Sequence, residues 1–572
     1  MRAITSLILA GMIATIGCSK PPSMSTTKKG GKNPVVKTED STVVTGEPEA
    51  WEDVEVLKPN SLALATAFPR LTQLQWENSV RDILLLDKNP NLSSLFPGDP
   101  QNTFFANDGN SLVVSDGLWQ SYIKAAEDMS DRIGNEVALQ TKLIPTAAAA
   151  LTGDAKIKAI LTPLLTRAYR RPPTTGELDR LIAMYKKGPE LTGKTDAQKA
   201  GLQTVVYLIL QSPQFLYRIE IGDKKTDLAT LTAYEVAARL SYAAWNSIPD
   251  DALFKAAASG AILTEEGLKT QAARLMKDPK ADYVLTHFYS KIFGTETYAD
   301  VIKKDAEIAP KWPSTMGKSL VTEADLFINE VVVKENGGIN ELLSAPYAFV
   351  NADTAPFYKV AAPAGSEFVK TNLNSKERIG ILTQLGFLAR RSLEKESNAI
   401  RRGVLVSDKL LCADITSDVP TILPELAAPT GTKTARDIVN EISGPGTCGA
   451  MCHGDFINPS GYAFENYDAA GNYRTKDNNQ PINAAANLRL RRGLVAYDGP
   501  QEFVKQISAS RDLHECTIRK AVGMLYAREV DKEDLTLIQN IAKKSSESLS
   551  TRELFTDILS DSRIKIRGNG GQ

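Results

Sequence analysis

Five cysteines and three histidines are the scarce reactive side chains of this 572-residue chain. The densest group of them lies in the segment 448–453, which reads CGAMCH. Two thiols followed directly by an imidazole are the groups that attach a c-type haem, because the thiols form thioethers with the haem and the histidine binds the iron. The usual spacing is C-x-x-C-H, whereas here three residues separate Cys448 from Cys452. One of those residues must bulge for both sulfurs to reach the ring.

The same residues are suited to other chemistry. Cys448 and Cys452 could close a small disulfide loop that leaves His453 without a role. Cys412 and Cys516 flank the motif and are candidates for a disulfide, either with this loop or as a bridge beside it. Thiolate and imidazole also suit zinc, although an exported protein lies in an oxidising compartment that favours disulfides. Haem attachment, disulfide formation and metal binding at His453 therefore stay open.

The sequence does not determine a sixth ligand for a haem iron. Met524 lies downstream of His453 at a range compatible with a cytochrome-type methionine, and His514 is the second choice. A five-coordinate iron is a third arrangement, and Met524 could equally be a core residue of the helix that follows Cys516. His287 lies among apolar residues and is predicted to be a half-buried histidine rather than a ligand.

Several charged residues have a structural and a functional interpretation. Glu465 and Asp468 are predicted to hydrogen-bond the backbone or an arginine such as Arg474, with cation binding as the alternative. Three pairs of adjacent arginines are predicted to be charges at helix ends, with the binding of an acidic group as the alternative. These pairs are 170–171, 390–391 and 401–402.

The N-terminus has the pattern of an export signal. A positive charge at Arg2 precedes an apolar run over 3–16 that is too short to span a bilayer. The segment 15–18, TIGC, then resembles a lipobox, in which Cys18 is lipidated and becomes the first residue; a plain signal peptide cut near Gly17 is the alternative. Ser19 is typical of outer-membrane sorting in Gram-negative lipoproteins. We therefore predict an outer-membrane lipoprotein that faces the periplasm or the cell surface.

Length, charge and the motifs present limit the classes of function. At 62.1 kDa the chain is too large for one hydrophobic core. Its formal net charge of -1 argues against a dedicated nucleic-acid-binding protein. The sequence has no Gly-rich phosphate loop, G-x-S-x-G nucleophile elbow or H-E-x-x-H zinc helix. No complete catalytic set is recognised, so the sequence leaves enzymatic activity uncertain.

Helical periodicity and capping signals dominate the chain. Thr174 with Glu177, and Thr232 with Glu235, form capping boxes before apolar residues at helical spacing. The best strand candidates are 348–350 and 461–464. The predicted fold is mainly α, with several helical modules in series and few short strands. Further helices are predicted over 71–85, 118–133, 201–219, 265–277, 281–294, 320–334, 376–391, 398–412 and 434–443.

The predicted organisation follows composition shifts along the chain. Residues 18–55 are rich in Ser, Thr, Lys, Gly and Pro and cannot bury enough apolar surface to fold. The predicted parts are a signal peptide over 1–17, a flexible tether over 18–55, an N-terminal helical module over 56–222, a central helical module over 223–365, a Cys/His-bearing module over 366–485 and a C-terminal helical module over 486–572.

A series of ordered motifs resembles a known bacterial family. The stretch 452–474, CHGDFINPSGYAFENYDAAGNYR, is similar to its C-x-x-C-H…D-P-x-G-F-x-x-E-x-F-D-x-x-G-x-x-R block. The family is exported, abundant in planctomycetes and myxobacteria, often joined to cytochrome c modules, and catalogued only as a series of domains of unknown function. Similar motifs cover most of residues 65–570, at 68–84, 165–181, 210–220, 231–253, 347–358, 378–392 and 514–529.

The resemblance implies a haem c whose thioethers are formed by Cys448 and Cys452 and whose proximal ligand is His453. The chain departs from the family pattern by the extra residue between the cysteines. It departs again at Asn458, which stands where the family has Asp before Pro459.

Two functions are predicted from these features. The first is electron transfer by an outer-membrane-anchored lipoprotein with a c-type-haem-like module, acting with a redox partner protein. The alternative is a disulfide-stapled, non-enzymatic binding or structural lipoprotein that holds a partner or a polymer ligand. In both, the membrane is reached through the lipid at Cys18 and no nucleic acid is bound.

Overall fold

The structure is a computed structural model of the chain, and it describes residues 68–100, 105–109, 111–223, 228–365, 367–415, 432–447, 449–450 and 453–568. The predicted signal peptide, Cys18, the tether, Cys448 and Cys452 lie outside the described residues. Over the described ranges the fold is mainly α-helical and its strands form short two-stranded pairs, as predicted. No helix in these ranges is long and apolar enough to cross a membrane.

The first helical unit has its own hydrophobic core. Trp76 is fully buried at its centre, where its ring packs against the rings of Phe96 and Tyr122. The predicted capping box is confirmed at α5, because Thr174 accepts from the Glu177 N–H and Glu177 accepts from the Thr174 N–H. The helices are α1 Gln73–Ile83, α2 Asp116–Asn135, α3 Val137–Leu143, α4 Gly153–Tyr169, α5 Thr175–Lys186, α6 Gly188–Thr192, α7 Ala197–Leu210 and α8 Pro213–Leu216.

Most of the remaining described chain shares a larger core that extends from Phe105 to Ile564, and Ala399, Val439 and Tyr462 form a third, small cluster. Residues of the predicted central, Cys/His-bearing and C-terminal modules pack against one another in this core, and the boundaries between these modules stay predictions. Thr232 caps α9 together with Glu235, as predicted. The helices are α9 Ala233–Trp245, α10 Asp251–Ala258, α11 Glu265–Lys277, α12 Asp282–Phe293, α13 Met316–Asn329, α14 Ile339–Ser344, α15 Ala355–Tyr358, α16 Leu385–Arg390, α17 Ala399–Leu405, α18 Ala435–Ser443, α19 Asn458–Tyr462, α20 Gly499–Ser508, α21 Arg511–Tyr526, α22 Leu535–Ser548 and α23 Thr551–Ser560.

The strands form antiparallel pairs. The first and last strands pair with each other, with Leu228 opposite Gly568, so residues far apart in sequence are joined. The strands are β1 Leu228–Thr230, β2 Tyr347–Val350, β3 Val369–Asn372, β4 Lys476–Asp477, β5 Gln480–Pro481, β6 Ala485–Leu490, β7 Gly493–Asp498 and β8 Ile566–Gly568. The strand predicted at 348–350 is confirmed as β2.

Two predicted elements differ from the structure. The strand predicted at 461–464 is wrong, because helix α19 ends at Tyr462 and a turn follows. Pro459 lies in the first turn of α19, where its fixed φ favours a helix. The helix predicted over 376–391 begins only at Leu385, because Gly380 has a φ of 57° that a helix does not allow.

Three short π-helices occur among the described residues, at Glu330–Lys334, Val406–Leu410 and His453–Ile457. The second contacts α19, which directly follows the third, since Ser407 Oγ donates to Ser460 Oγ over 3.1 Å. π-Helices are rare and are often found at functional sites. The third one begins at the histidine that the sequence singles out.

Candidate functional site

Helix α18 leads the chain towards residues 448–453, which we call the Cys/His segment. Thr434 caps this helix by accepting from the Asp437 N–H, and the Ala435 N–H donates to Asp477 over 2.7 Å. The helix ends at Ser443, whose hydroxyl donates to the Val439 carbonyl. Ser443 is therefore held in place at the end of α18, shortly before the Cys/His segment.

His453 begins the 453–457 π-helix and is half-buried. The backbone N–H of His453 donates to the Gly449 carbonyl over 3.0 Å. Its ring Nδ1 lies 3.2 Å from Oδ1 of the buried Asn458. The two residues are five apart, which is the spacing of the backbone hydrogen bonds in a π-helix.

The contacts of Asn458 determine which nitrogen of His453 carries the proton. Asn458 Nδ2 donates to the Ser443 carbonyl and to Ser443 Oγ, at 3.4 and 3.0 Å. A carbonyl only accepts, so the amide nitrogen must face Ser443 and the amide oxygen must face His453. Nδ1 of His453 is then the donor. In neutral imidazole this leaves the lone pair on Nε2, which is the form that binds a metal.

Helix α17 supports this arrangement through two close backbone contacts. A Cβ on Gly403 would lie 1.9 Å from the Ile457 carbonyl oxygen, and one on Gly461 would lie 1.9 Å from the Ala399 carbonyl oxygen. Both distances are far inside van der Waals contact. Glycine at these two positions therefore lets α17 touch the 453–457 π-helix and α19 directly.

Arg402 fixes the loop that follows α19. Its guanidinium is fully buried and donates to five oxygen acceptors, four of which are backbone carbonyls. Burial lowers the pKa of Arg402 to about 10, with Glu465 opposing that shift. The acceptors are the carbonyls of Leu388, Phe464, Tyr467 and Asp468 and the hydroxyl of Ser392.

Glu465 and Asp468 have different roles in this loop. Asp468 accepts from the N–H groups of Ala470 and Asn472, both at 2.9 Å, so it makes the structural hydrogen bonds that the sequence predicts. Glu465 is fully buried beside Arg402 and Arg474, and burial raises the pKa of its carboxyl despite these two cations. Its Oε1 has no hydrogen-bond partner among the described residues.

Two of the three predicted arginine pairs contain residues in different environments, whereas Arg390 and Arg391 are both half-buried and both donate to backbone carbonyls. Arg170 is buried and donates to the carbonyls of Gln214, Phe215 and Tyr217, whereas Arg171 pairs with Glu177. Arg402 is buried and Arg401 is exposed. The sequence did not indicate that one arginine of such a pair binds main-chain carbonyls inside the protein.

Cys412 and Cys516 form a disulfide with a Cα–Cα distance of 5.4 Å. This is the flanking bridge that the sequence proposes. It joins the chain just after the 406–410 π-helix to α21, and it lines a groove of about 640 Å³. Phe456, from the π-helix that begins at His453, lines the same groove. The disulfide therefore lies beside the Cys/His segment without involving Cys448 or Cys452.

A second groove of about 480 Å³ lies next to His453. Gly454 and Asn458 line it, together with Tyr462 and Arg436. The Arg436 guanidinium lies 4.0 Å from the centre of the Tyr462 ring. The lining of this groove therefore combines an aromatic ring, an amide and a cation.

The two other candidate ligands, Met524 and His514, both lie on α21. Met524 is buried in the larger core near the end of α21, where its carbonyl accepts from Asn107 Nδ2. His514 is buried, with Nδ1 at 2.9 Å from Ser545 Oγ and Nε2 at 2.9 Å from the Ser508 carbonyl, so both ring nitrogens already have partners. Burial lowers the pKa of His514.

His287 is half-buried, as predicted, and stacks on Tyr283 with ring centres 5.1 Å apart. Burial lowers its pKa. Among the described residues, no group of three or more His, Cys, Asp and Glu side chains is placed to hold a metal ion. The Nδ1 of His453 is hydrogen-bonded to Asn458, which leaves its Nε2 available, and this ring fits an axial ligand to a haem.

Comparison with protein families gives four matches in chain order. They are PSD3, protein of unknown function (DUF1587), at 70–134; PSD5, protein of unknown function (DUF1595), at 156–220; PSD4, protein of unknown function (DUF1592), at 231–360; and PSCyt3, protein of unknown function (DUF1588), at 378–477. Together these segments cover more than half of the chain. The chain belongs to this multidomain family. The resemblance found in the motifs is thereby confirmed, and no curated protein or solved structure matches the chain.

The PSCyt3 segment of this family member contains the candidate site. His453, Asn458 and Arg402 all lie within 378–477. Ser443 and the hydrogen bond from His453 to Asn458 were not found from the sequence. The sequence feature that could have indicated this hydrogen bond is Asn458, which stands where the family pattern has Asp.

Proposed function

We propose that this protein carries a covalently attached c-type haem at Cys448, Cys452 and His453 and acts in electron transfer as a lipoprotein anchored through Cys18 to the outer membrane. The observation that carries the proposal is the hydrogen bond of His453 to Asn458, which leaves Nε2 free. The name of the family that matches 378–477, PSCyt3, is consistent with a cytochrome-like module.

The residues of the chain have separate tasks in this proposal. A bound haem supplies an iron that accepts and donates one electron. Asn458 fixes the ring orientation and the tautomer of His453, and Ser443 fixes the amide of Asn458. A hydrogen-bonded second residue of this kind increases the basicity of a histidine ligand and holds its ring. The amide of Asn458 does this without adding a negative charge. Met524 as a sixth ligand stays a prediction.

Expression together with a haem-maturation system tests the attachment. The purified protein should show a Soret band and should retain haem staining after denaturation. His453→Gln should lose the coordinated spectrum, whereas His287→Gln, which changes another half-buried histidine, should leave it unchanged. A chain without Soret absorbance and without covalent haem would contradict the proposal.

The alternative, a disulfide-stapled binding or structural lipoprotein, is favoured by one specific observation, the disulfide of Cys412 with Cys516. It predicts that Cys448 and Cys452 also form a disulfide. Mass spectrometry of the non-reduced peptide that contains both cysteines separates the two functions, because a disulfide there excludes thioethers. The anchor is tested by Cys18→Ala, which should release the protein from membranes under either function.

A further inference from the structure

We propose that the hairpin end of β6 and β7 and the adjoining face of α21 form a docking surface for an acidic protein partner. We call this surface, made of Arg489, Arg491 and Arg519 around the 640 Å³ groove, the basic face. The proposal rests on the proposed function, because it assigns the surface through which a redox partner approaches the Cys/His segment.

Strand geometry puts two of these arginines on one side of the hairpin. Leu488 and Leu490 are buried, whereas Arg489 and Arg491 alternate with them and are exposed. The side chains of Arg489 and Arg491 retain 46% and 49% of their accessible surface. The hairpin therefore presents both guanidinium groups to solvent.

Helix α21 supplies the third arginine. Asp512, Glu515, Cys516 and Arg519 all line the groove, which is the spacing of one helix face. Arg519 is exposed and has no hydrogen bond or ion pair with a described residue. The positive surface of the hairpin thus continues onto the helix.

Two carboxylates of this region are paired with arginines, and a third, Asp512, accepts from the Arg491 backbone N–H over 3.1 Å. Asp455 accepts from Arg489 over 2.6 Å, and Glu515 is held by Arg491 and Arg511 at 2.9 and 2.5 Å. Glu515 is also nearly buried, so its charge faces its partners more than the solvent. A guanidinium has five N–H donors, so the exposed arginines keep donors for an incoming carboxylate.

The groove also has apolar lining, which a polypeptide partner can contact. Leu411 and Leu490 lie between the arginines and provide apolar lining. Arginine around an apolar centre is the composition of protein interfaces. A carboxylate-bearing protein surface with an apolar residue complements both parts of this lining.

The basic face adjoins the candidate site. Asp455, which pairs with Arg489, and Phe456, which lines the groove, both belong to the π-helix that begins at His453. A partner bound there would contact the element that carries the proposed axial ligand. Electrostatic complementarity at such a surface raises the rate of encounter.

Binding of fluorescein-labelled poly-L-glutamate to the full chain tests the basic face without any need for haem. Fluorescence anisotropy should show binding that weakens as salt is added. The triple variant Arg489→Gln, Arg491→Gln, Arg519→Gln should bind about tenfold more weakly, because three surface charge pairs are lost. The matched control Arg180→Gln, Lys269→Gln, Lys318→Gln removes the same charge from exposed positions elsewhere and should bind as the wild type does.

Equal losses in the two triple variants, or no binding of poly-L-glutamate, would overturn the docking surface. Heparin binding without poly-L-glutamate binding would overturn the assignment to an acidic protein. With haem attached, the triple variant should also react more slowly with anionic hexacyanoferrate and faster with cationic hexaammineruthenium. If no haem is attached, the proposed function is refuted, whereas the binding of poly-L-glutamate still tests the basic face.

Discussion

The adjacent arginines of α17 allow a sharp test of how this fold holds its candidate site. We expect Arg402→Met to lower the free energy of unfolding far more than Arg401→Met. Arg402 is fully buried, and four of its five acceptors are backbone carbonyls of the α16 end and the 464–468 loop. Those carbonyls stay buried when the guanidinium is removed, because methionine fills similar space without any donor.

The size of the effect follows from two opposing contributions. Each hydrogen bond lost from a charged donor costs about 1.5–3 kcal/mol. The Tyr467 carbonyl is left without a donor among the described residues, whereas the Leu388, Phe464 and Asp468 carbonyls each keep one. Removing the charge also removes the cost of burying it, which is several kcal/mol. Five hydrogen bonds are lost, which outweighs this gain, so we expect a net loss of about 3 kcal/mol or more. Arg401 is exposed, so its loss should cost no more than about 0.5 kcal/mol.

Urea denaturation followed by circular dichroism measures both changes against the wild type. The two variants have the same change in charge and nearly the same change in volume, so Arg401→Met is the matched control. A loss below about 1 kcal/mol for Arg402→Met would refute the reasoning that main-chain carbonyls depend on this side chain.

Four further predictions follow from individual groups. Glu323 is buried, and burial raises its pKa to about 8, above its unfolded value. The wild type should therefore lose stability as pH rises from about 4.5 to 8, and denaturation curves of Glu323→Gln should lack that loss. Lys304 is buried and burial lowers its pKa to about 7, so stability should rise with pH from about 7 to 10, and Lys304→Met should flatten this rise. Replacing both Cys412 and Cys516 by Ser should lower the free energy of unfolding by about 2–4 kcal/mol, whereas an unchanged value would mean that the bridge does not restrict the unfolded chain. In haem-loaded protein, Asn458→Asp should lower the reduction potential, because a carboxylate makes the His453 ligand more electron-rich. The matched change Asn440→Asp, at the amide that accepts from the Tyr462 hydroxyl, should shift the potential less.

Much of the helical framework could be predicted because the signals are local. Thr174 and Thr232 each have a Glu three residues later, and both caps form as predicted. The prediction failed at 461–464, where alternation of small and aromatic residues resembled a strand. The helix forms there because Pro459 starts it and Gly461 contacts the backbone of α17, a contact that no local pattern contains.

The candidate site was only partly predictable. His453 was found from its place after a cysteine, but its partner Asn458 was not. The two side chains meet across a rare π-helix, which no local pattern in the sequence indicated. The sequence likewise could not tell Arg402 from Arg401. Which of two adjacent arginines is buried depends on the loop at 464–468 that packs against α17, and this contact is made across more than sixty residues.

The central claim is the covalent attachment of haem at the Cys/His segment. The most direct test is the mass of the peptide that contains Cys448 and Cys452, isolated without reduction from protein expressed with a haem-maturation system. We predict a mass increased by one haem, with both thiols consumed as thioethers. A peptide of unmodified mass, or one lighter by two hydrogens because of a Cys448–Cys452 disulfide, would contradict the claim.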